Sequence, residues 1–465
     1  MKTGISSSVT IVLAVVALLI GAGIGYLAAP SSSTVTSTVS GTTVTTTVGG
    51  STVTTTVGAG TTVTNTVTNT VTTTTGGGGG GLSGTIQLGA IYSLSGDTAF
   101  TGQQEKVATQ FAVDDLNAYL KNSSTNLQFN VKLEDDQTDA SVALTEVQAL
   151  VSQGVKEILG PTNSGEARNV ISYANANHIV LLTPSSSAPD LAIPNDYLFR
   201  NVPTDAVQSA AIARNVIQQG YNYVIIVYRN DAYGTGVNAG FQQHYTAEGG
   251  TVLDDIPYTV ITTGSYDFSA QLAQMNTDYQ SAVAKYGADH VAIESIMFNE
   301  EATMIAQLSS YSAIAGARWF ACDGIALSTI FLQGAGSLSP TIKLDATYSA
   351  PTRSPIFAAF EARFKAATGQ EPSAVTAAAY DDVWIMARAI IDAGTTDGAV
   401  VKNLIIPVAN SYFGAAGWPN FNAAGDKQTS NYDIYQVQLV SGSPTWVLIG
   451  NWDPIADSVT YSAPH

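Results

Sequence analysis

The chain has 465 residues, of which 36 are acidic and 18 basic, for a formal net charge of -18. That balance, without a basic stripe anywhere, disfavours a nucleic-acid partner, because phosphate binding relies on Lys and Arg. The only cysteine, Cys322, excludes an internal disulfide and sets aside CxxC metal and redox chemistry.

In chain order, no charged residue follows Lys2 until Asp97. Within that span Val9 to Ala29 supplies about 21 mostly apolar residues, enough as a helix to cross roughly 30 Å of hydrocarbon. Residues 1–30 are therefore predicted to be a membrane anchor or signal. Ala28-Ala29-Pro30 is a poor cleavage site, and no cysteine follows it to carry a lipid. The start Lys2-Thr3-Gly4-Ile5 resembles pilin-like signals, which are cut before the apolar stretch, so in both readings the mature protein keeps its anchor. Residues 31–83 repeat Thr, Val and Ser and run into the glycines 76–81, a composition too poor in apolar bulk to fold and suited to a disordered stalk. Such a stalk implies that the remainder works outside the membrane.

From Gly84 onward strands alternate with helices. Strands are predicted at Thr85 to Ile91, Leu127 to Leu133, Glu157 to Leu159, Ile179 to Leu182, Tyr223 to Tyr228, Thr251 to Pro257, His290 to Ile293 and Arg318 to Phe320. Helical patterns fill the intervals, among them Gln103 to Leu120, Glu166 to Asn175, Ala206 to Gln219 and Thr235 to Ala247. Alternating βα units imply parallel sheets with helices on both faces. One sheet is expected to end near Val202-Pro203 and a second to begin after it, giving two lobes with a crevice between them.

The stretch Glu157 to Asp190 places two loops, Gly160 to Gly165 and Thr183 to Asp190, at the carboxyl ends of adjacent strands. Ligands of open α/β sheets sit there, and helix starts present free N–H groups. Ser164, Ser185, Ser186 and Ser187 could together donate to a small carboxylate without a bare cation in the cleft. Turn and N-cap chemistry also places such residues in any βα loop.

Several segments, taken in order, resemble the extracellular solute-binding proteins of ABC transporters for branched-chain amino acids. They are Leu88 to Asp97, Asp114 to Asn117, Glu134 to Thr138, Gly154 to Gly165, Thr183 to Leu191, Phe199 to Asp205, Val227 to Gly236, Tyr266 to Leu272, Asp323-Gly324 and Tyr380 to Trp384. The resemblance implies a type I periplasmic-binding-protein fold, two Rossmann-like lobes joined by three crossovers, with lobe 1 at 84–202 and 348–432 and lobe 2 at 203–347 and 433–465. It implies that Ser164, Ser186 and Ser187, with Ser185 adjacent, hold an α-carboxylate, that Asp323 pairs with an α-ammonium, and that Tyr233 bridges the two. Where the family often has a tyrosine beside the ammonium this chain has Phe298, which makes the amine end less polar. The partners so implied are a small-molecule ligand (an amino acid, amide or organic acid), an ABC permease with its ATPase subunits, and the membrane through the N-terminal helix. The binding domain would then be extracellular at the cell membrane. A ligand-sensing ectodomain that signals through a partner protein shares the fold.

No cofactor or metal is expected, and no catalysis. Gly234, Gly236 and Gly240 follow their strand too late and at the wrong spacing for a dinucleotide fingerprint, and are read as turn and packing residues. No GxSxG elbow or HExxH occurs, and His178, His244, His290 and His465 read as surface histidines. Glu134-Asp135-Asp136 and Asp381-Asp382 are read as solvated carboxylates. Asn122-Ser123-Ser124 is a glycosylation sequon, and Trp418, Trp446 and Trp452 are assigned to lobe packing.

Overall fold

The computed structural model describes residues 33–38, 43–48, 51–56, 62–67, 82–335 and 338–462. Met1–Gly79 and Gly80–His465 form separate compact units. In the first, β1 (Ser33–Thr38) pairs antiparallel with β4 (Thr62–Val67), and β2 (Thr43–Val48) with β3 (Ser51–Thr56). The segment predicted as a disordered stalk thus carries strand pairing, because β-branched Thr and Val favour an extended backbone. The predicted anchor and the glycine run lie outside the described residues. Among the described residues no helix is long and apolar enough to cross a membrane.

The second unit continues with β5 (Gly84–Tyr92), β6 (Leu127–Asp135), β7 (Glu157–Leu159), β8 (Val180–Thr183), β9 (Leu198–Pro203), β10 (Tyr223–Arg229), β11 (Thr251–Tyr258), β12 (Val291–Ile296), β13 (Arg318–Ala321), β14 (Asp345–Ser349), β15 (Asp426–Lys427), β16 (Tyr432–Val440), β17 (Ser443–Asp453) and β18 (Ser458–Tyr461). One sheet has six strands in the order β15-β9-β8-β7-β5-β6, all parallel. The other has eight in the order β11-β10-β12-β13-β14-β16-β17-β18. Its β10 to β14 pair in parallel, while β16, β17 and β18 extend it antiparallel. The β16–β17 hairpin closes through Ser441 and Gly442, both at positive φ, the geometry a two-residue hairpin loop demands. The chain passes between the sheets after Pro203, between Ser349 and Asp426, and between Lys427 and Tyr432.

Each sheet is buried between helices, so its parallel strands read as continuous apolar runs such as Val180–Leu181–Leu182. On the six-stranded sheet the helices Ala99–Asn122 and Ala374–Ala393 share one core, with Leu116 and Leu120 of the first meeting Ile385 and Ile390 of the second. The second of these helices begins in a capping box between Ser373 and Thr376 and ends on Gly394 in the left-handed region.

Three acids read as solvated are buried. Asp381 accepts the backbone N–H groups of Ala415 and Ala416 at 2.8 Å each, and Asp382 accepts the Asn201 amide at 2.9 Å. Asp136, at the end of its strand, accepts the Ser93 hydroxyl at 2.6 Å. Each takes donors from elements remote in sequence in place of water, Asp381 on both oxygens and Asp136 and Asp382 on Oδ1. Trp418, assigned to packing, is exposed, its ring edge-on to Phe413.

The link between β9 and β15 is ionic. Arg200 Nε donates to Asp426 Oδ1 at 2.6 Å with side chains 0% and 1% exposed, and its Nη1 reaches the Ala188 carbonyl at 2.7 Å. Removing one partner of such a pair strands the other charge in a dry interior. Asp426→Asn is expected to lose about 3–5 kcal/mol of unfolding free energy, read from the midpoint of a denaturant titration; a midpoint equal to that of the parent protein would show that the pair is not needed.

Candidate functional site

Three loops of the six-stranded sheet converge at strand carboxyl ends: 93–98 after β5, 160–163 after β7 and 184–188 after β8. Three from the other sheet face them, carrying Tyr233 after β10, Phe298 after β12 and Asp323 after β13. They enclose a cavity of about 40 Å³, lined also by Thr98, Thr101, Thr162, Asn163, Tyr348 and Val375. That volume admits roughly three waters. Behind Tyr348 lies a larger groove of about 540 Å³, walled by Phe357, Tyr435 and Trp446. Its lining also carries the charged residues Arg353, Glu361, Glu371 and Asp433.

Of the residues singled out in the sequence, Ser164, Ser185, Ser187, Tyr233, Phe298 and Asp323 meet at this cavity. Ser186 does not: it is fully buried, and its hydroxyl donates to the Pro161 carbonyl at 2.9 Å. The others differ in what their hydroxyl protons do. Ser185 Oγ donates to Glu105 Oε1 at 2.6 Å, with the Thr162 carbonyl 2.7 Å away. Ser187 lines the cavity, and its carbonyl accepts the Asp205 backbone N–H at 2.9 Å. Ser164 Oγ instead accepts the backbone N–H groups of Ser187 and Ala188, both at 3.0 Å, which leaves its own proton to point into the cavity. Ser185 and Ser186 therefore act as framework, and the Ser164 hydroxyl is a donor to the cavity.

The opposite wall is acidic. Asp323 Oδ1 accepts the Tyr233 hydroxyl at 2.5 Å. Burial raises its pKa above the usual carboxylate range, offset in part by hydrogen bonds from Tyr233 and Gln208 and from the backbone N–H groups of Asp323 and Gly324. Asp205 nearby is raised far more, by burial first and by repulsion from Asp323 second. Tyr233 follows the N-cap Asp231, which accepts the Gly234 N–H at 2.9 Å, and its ring stacks on Phe298 with centroids 4.8 Å apart. The Phe298 ring also meets the Arg229 guanidinium, 3.7 Å from its centroid, and Arg229 is itself held by Asp231 and Glu300 at 2.6 Å each. Gly324 is required by contact: a Cβ there would stand 2.1 Å from the Met297 carbonyl oxygen. Gly234, Gly236 and Gly240 likewise serve close approach, to the Arg229 carbonyl, to Pro189 and to Ser209.

At the lip, Asp97 joins the two sets of loops. Its carbonyl accepts Asn299 Nδ2 at 2.8 Å, and its carboxylate accepts the Tyr266 hydroxyl at 2.8 Å. Sequence reasoning gave no site role to Asp97, the last residue of the run that begins at Leu88, or to Thr98 just after it. It also missed Thr162 and Asn163, which sit beside Ser164 in a loop noted for its hydroxyls. Tyr348 carried no signal, since β14 was not predicted. Cys322 is a packed residue with its sulfur 2.8 Å from the Tyr233 hydroxyl, and among the described residues no group of acids, histidines and cysteine is arranged to hold a metal.

Two facing α/β layers closing over one small polar cavity define a binding protein. Residues 85–443 match the periplasmic binding protein family, and the chain belongs to that family, on the type I fold of its branched-chain amino acid members. An uncharacterised protein of Methanocaldococcus jannaschii is 30% identical over 396 residues, covering 81% of this chain and 91% of its own. The Leu/Ile/Val-binding protein BraC3 of Rhizobium johnstonii is 26% identical over 355 residues, covering 76% and 91%. The branched-chain amino acid transporter substrate-binding protein LivJ of Streptococcus pneumoniae, solved with isoleucine, superposes with a TM-score of 0.64 at 24% identity, over 78% of this chain and 99% of that one.

The division of labour among the serines has a direct test. Ser164→Ala leaves two buried N–H groups without an acceptor and is expected to cost about 1–3 kcal/mol of stability, together with weaker ligand binding in calorimetry. Ser186→Ala should lower stability while leaving ligand affinity unchanged; equal affinity losses in both variants would contradict the assignment.

Proposed function

We propose that this protein is a membrane-tethered extracellular solute-binding protein that captures a branched-chain amino acid, or a related small amide or organic acid, and delivers it to an ABC permease and its ATPase subunits. The observation that carries the ligand class is the pairing of opposites across the cavity. A half-buried carboxylate, Asp323, steadied by a phenol and backbone amides and not by a cation, faces the Ser164 hydroxyl and the surrounding loop donors. A zwitterion supplies both missing charges, its ammonium to Asp323 and its carboxylate to the donor side. The small cavity favours a compact amino acid. On this reading 84–202 with 348–432 and 203–347 with 433–465 are the two lobes, and contributions from both couple capture to closure. Ser185, Ser186 and Ser187 shape the carboxylate side, while Tyr233 and Phe298 wall the amine end. The BraC3 and LivJ relatives support the ligand class, and the apolar N-terminal segment supports the tether.

The test is thermal unfolding of the full chain against amino acids, amides and small organic acids. A ligand at a hundredfold excess over its Kd adds about 2.7 kcal/mol to the native state, so leucine, isoleucine or valine should raise the Tm. Asp323→Asn should then weaken that ligand by about 1–3 kcal/mol. Stabilisation by an amine-free ligand alone, insensitive to this substitution, would retire the ammonium role of Asp323.

A further inference from the structure

Glu105 lies one layer behind the donor side of the cavity, on the helix Ala99–Asn122, and is fully buried. Its two oxygens take up two hydroxyl protons of the cavity wall: Oε1 accepts Ser185 Oγ and Oε2 accepts Thr162 Oγ1, both at 2.6 Å. Thr162 Oγ1 also accepts the Ser93 N–H at 3.1 Å, so its remaining proton is committed to Glu105. The titratable groups that face Glu105 are Asp136, Asp382, Tyr92 and Tyr348, from four other elements, and no cation is among them. While Glu105 is ionised, Ser185 and Thr162 thus present lone pairs to the cavity, the wrong polarity for a carboxylate.

We propose that Glu105 is a positioning residue that sets the hydrogen-bond polarity of the cavity wall, so that capture of a carboxylate ligand is accompanied by uptake of one proton onto Glu105. The inference rests on the reading of this wall as the carboxylate side. The proton comes from solvent and binds Oε1. The new O–H donates to Ser185 Oγ, reversing that hydrogen bond, and the Ser185 proton turns to the ligand. There a charged carboxylate outcompetes the neutral Thr162 carbonyl as acceptor. The buried charge beside the incoming anion disappears in the same step. Burial already pushes Glu105 up to about 7, with the Ser185 and Thr162 hydrogen bonds lowering it and Asp136 raising it further, so the proton is available near neutrality.

The experiment uses the full chain with L-leucine and L-valine as probes, titrated calorimetrically between about pH 5.5 and about pH 8.5 in buffers of different ionisation enthalpy. The expected result is proton uptake on binding above neutrality, with affinity falling by up to about tenfold per pH unit there. Glu105→Gln, a permanent neutral donor, should bind with a flat pH profile and no uptake. A readout without ligand accompanies it. Because the folded pKa of Glu105 is raised, its favourable contribution is complete below the ordinary value near 4.5 and is lost as pH rises through about 7. Wild-type Tm should therefore fall relative to Glu105→Gln across that window. Binding that is flat with pH in the wild type overturns the inference and leaves the function standing. Failure of both probes to bind at any pH overturns the carboxylate reading and this inference with it. A wild-type-minus-variant Tm difference independent of pH also counts against it.

Discussion

Burying negative charge without enough positive charge to match is the constraint that organises this molecule. Acids outnumber bases 36 to 18, yet Glu105, Asp136, Asp205, Asp381 and Asp382 all lie inside the fold. An ionised carboxylate needs donors when buried, and hydroxyls and backbone amides supply them to Glu105, Asp136 and Asp381, whereas burial raises the pKa of Asp205 far above the usual range. This is why the loops at the strand ends are rich in Ser and Thr, and why so few of those hydroxyls remain for a ligand. The scarce arginines stand where geometry must be fixed: Arg200 ties β15 to β9 and the 186–188 loop, while Arg229 backs the Phe298 ring.

The parallel sheets explain why these residues meet. Parallel strands release their loops on one side, and two such sheets facing each other bring six loops to one place. Aromatic stacking then defines the wall, since Tyr233, Phe298 and the Arg229 guanidinium form one column whose end bears the hydroxyl bonded to Asp323. Glycine completes it where a side chain has no room, at Gly324 against the Met297 carbonyl and at Gly236 against Pro189.

Much of this was legible in the sequence, for identifiable reasons. Strands such as Glu157–Leu159 and Tyr223–Arg229 are short apolar runs bounded by turn residues, and they appear where that pattern predicts. Ser164 was found because its loop leaves the carboxyl end of such a strand, whereas Tyr233 and Asp323 were found through the family resemblance. The burial of Asp381 and Asp382 was illegible, because their donors, Ala415, Ala416 and Asn201, come from distant parts of the chain. Direction of donation was illegible too: nothing local distinguishes Ser186, turned inward to Pro161, from Ser187 beside it. Tyr348 joins the site from a strand whose residues, Asp345–Ser349, carry no clear alternation.

The lip contacts of Asp97 lead to a consequence about time. Asp97 lies next to Thr98 of the cavity wall, yet its own bonds run to Asn299 and Tyr266 across the opening. A single loop thus supplies both a residue of the cavity wall and a contact across the opening. In a solute-binding protein the cavity wall bears on which solute fits and contacts across the opening bear on how fast it leaves, so a substitution at Asp97 would alter the exit rate with the cavity lining intact.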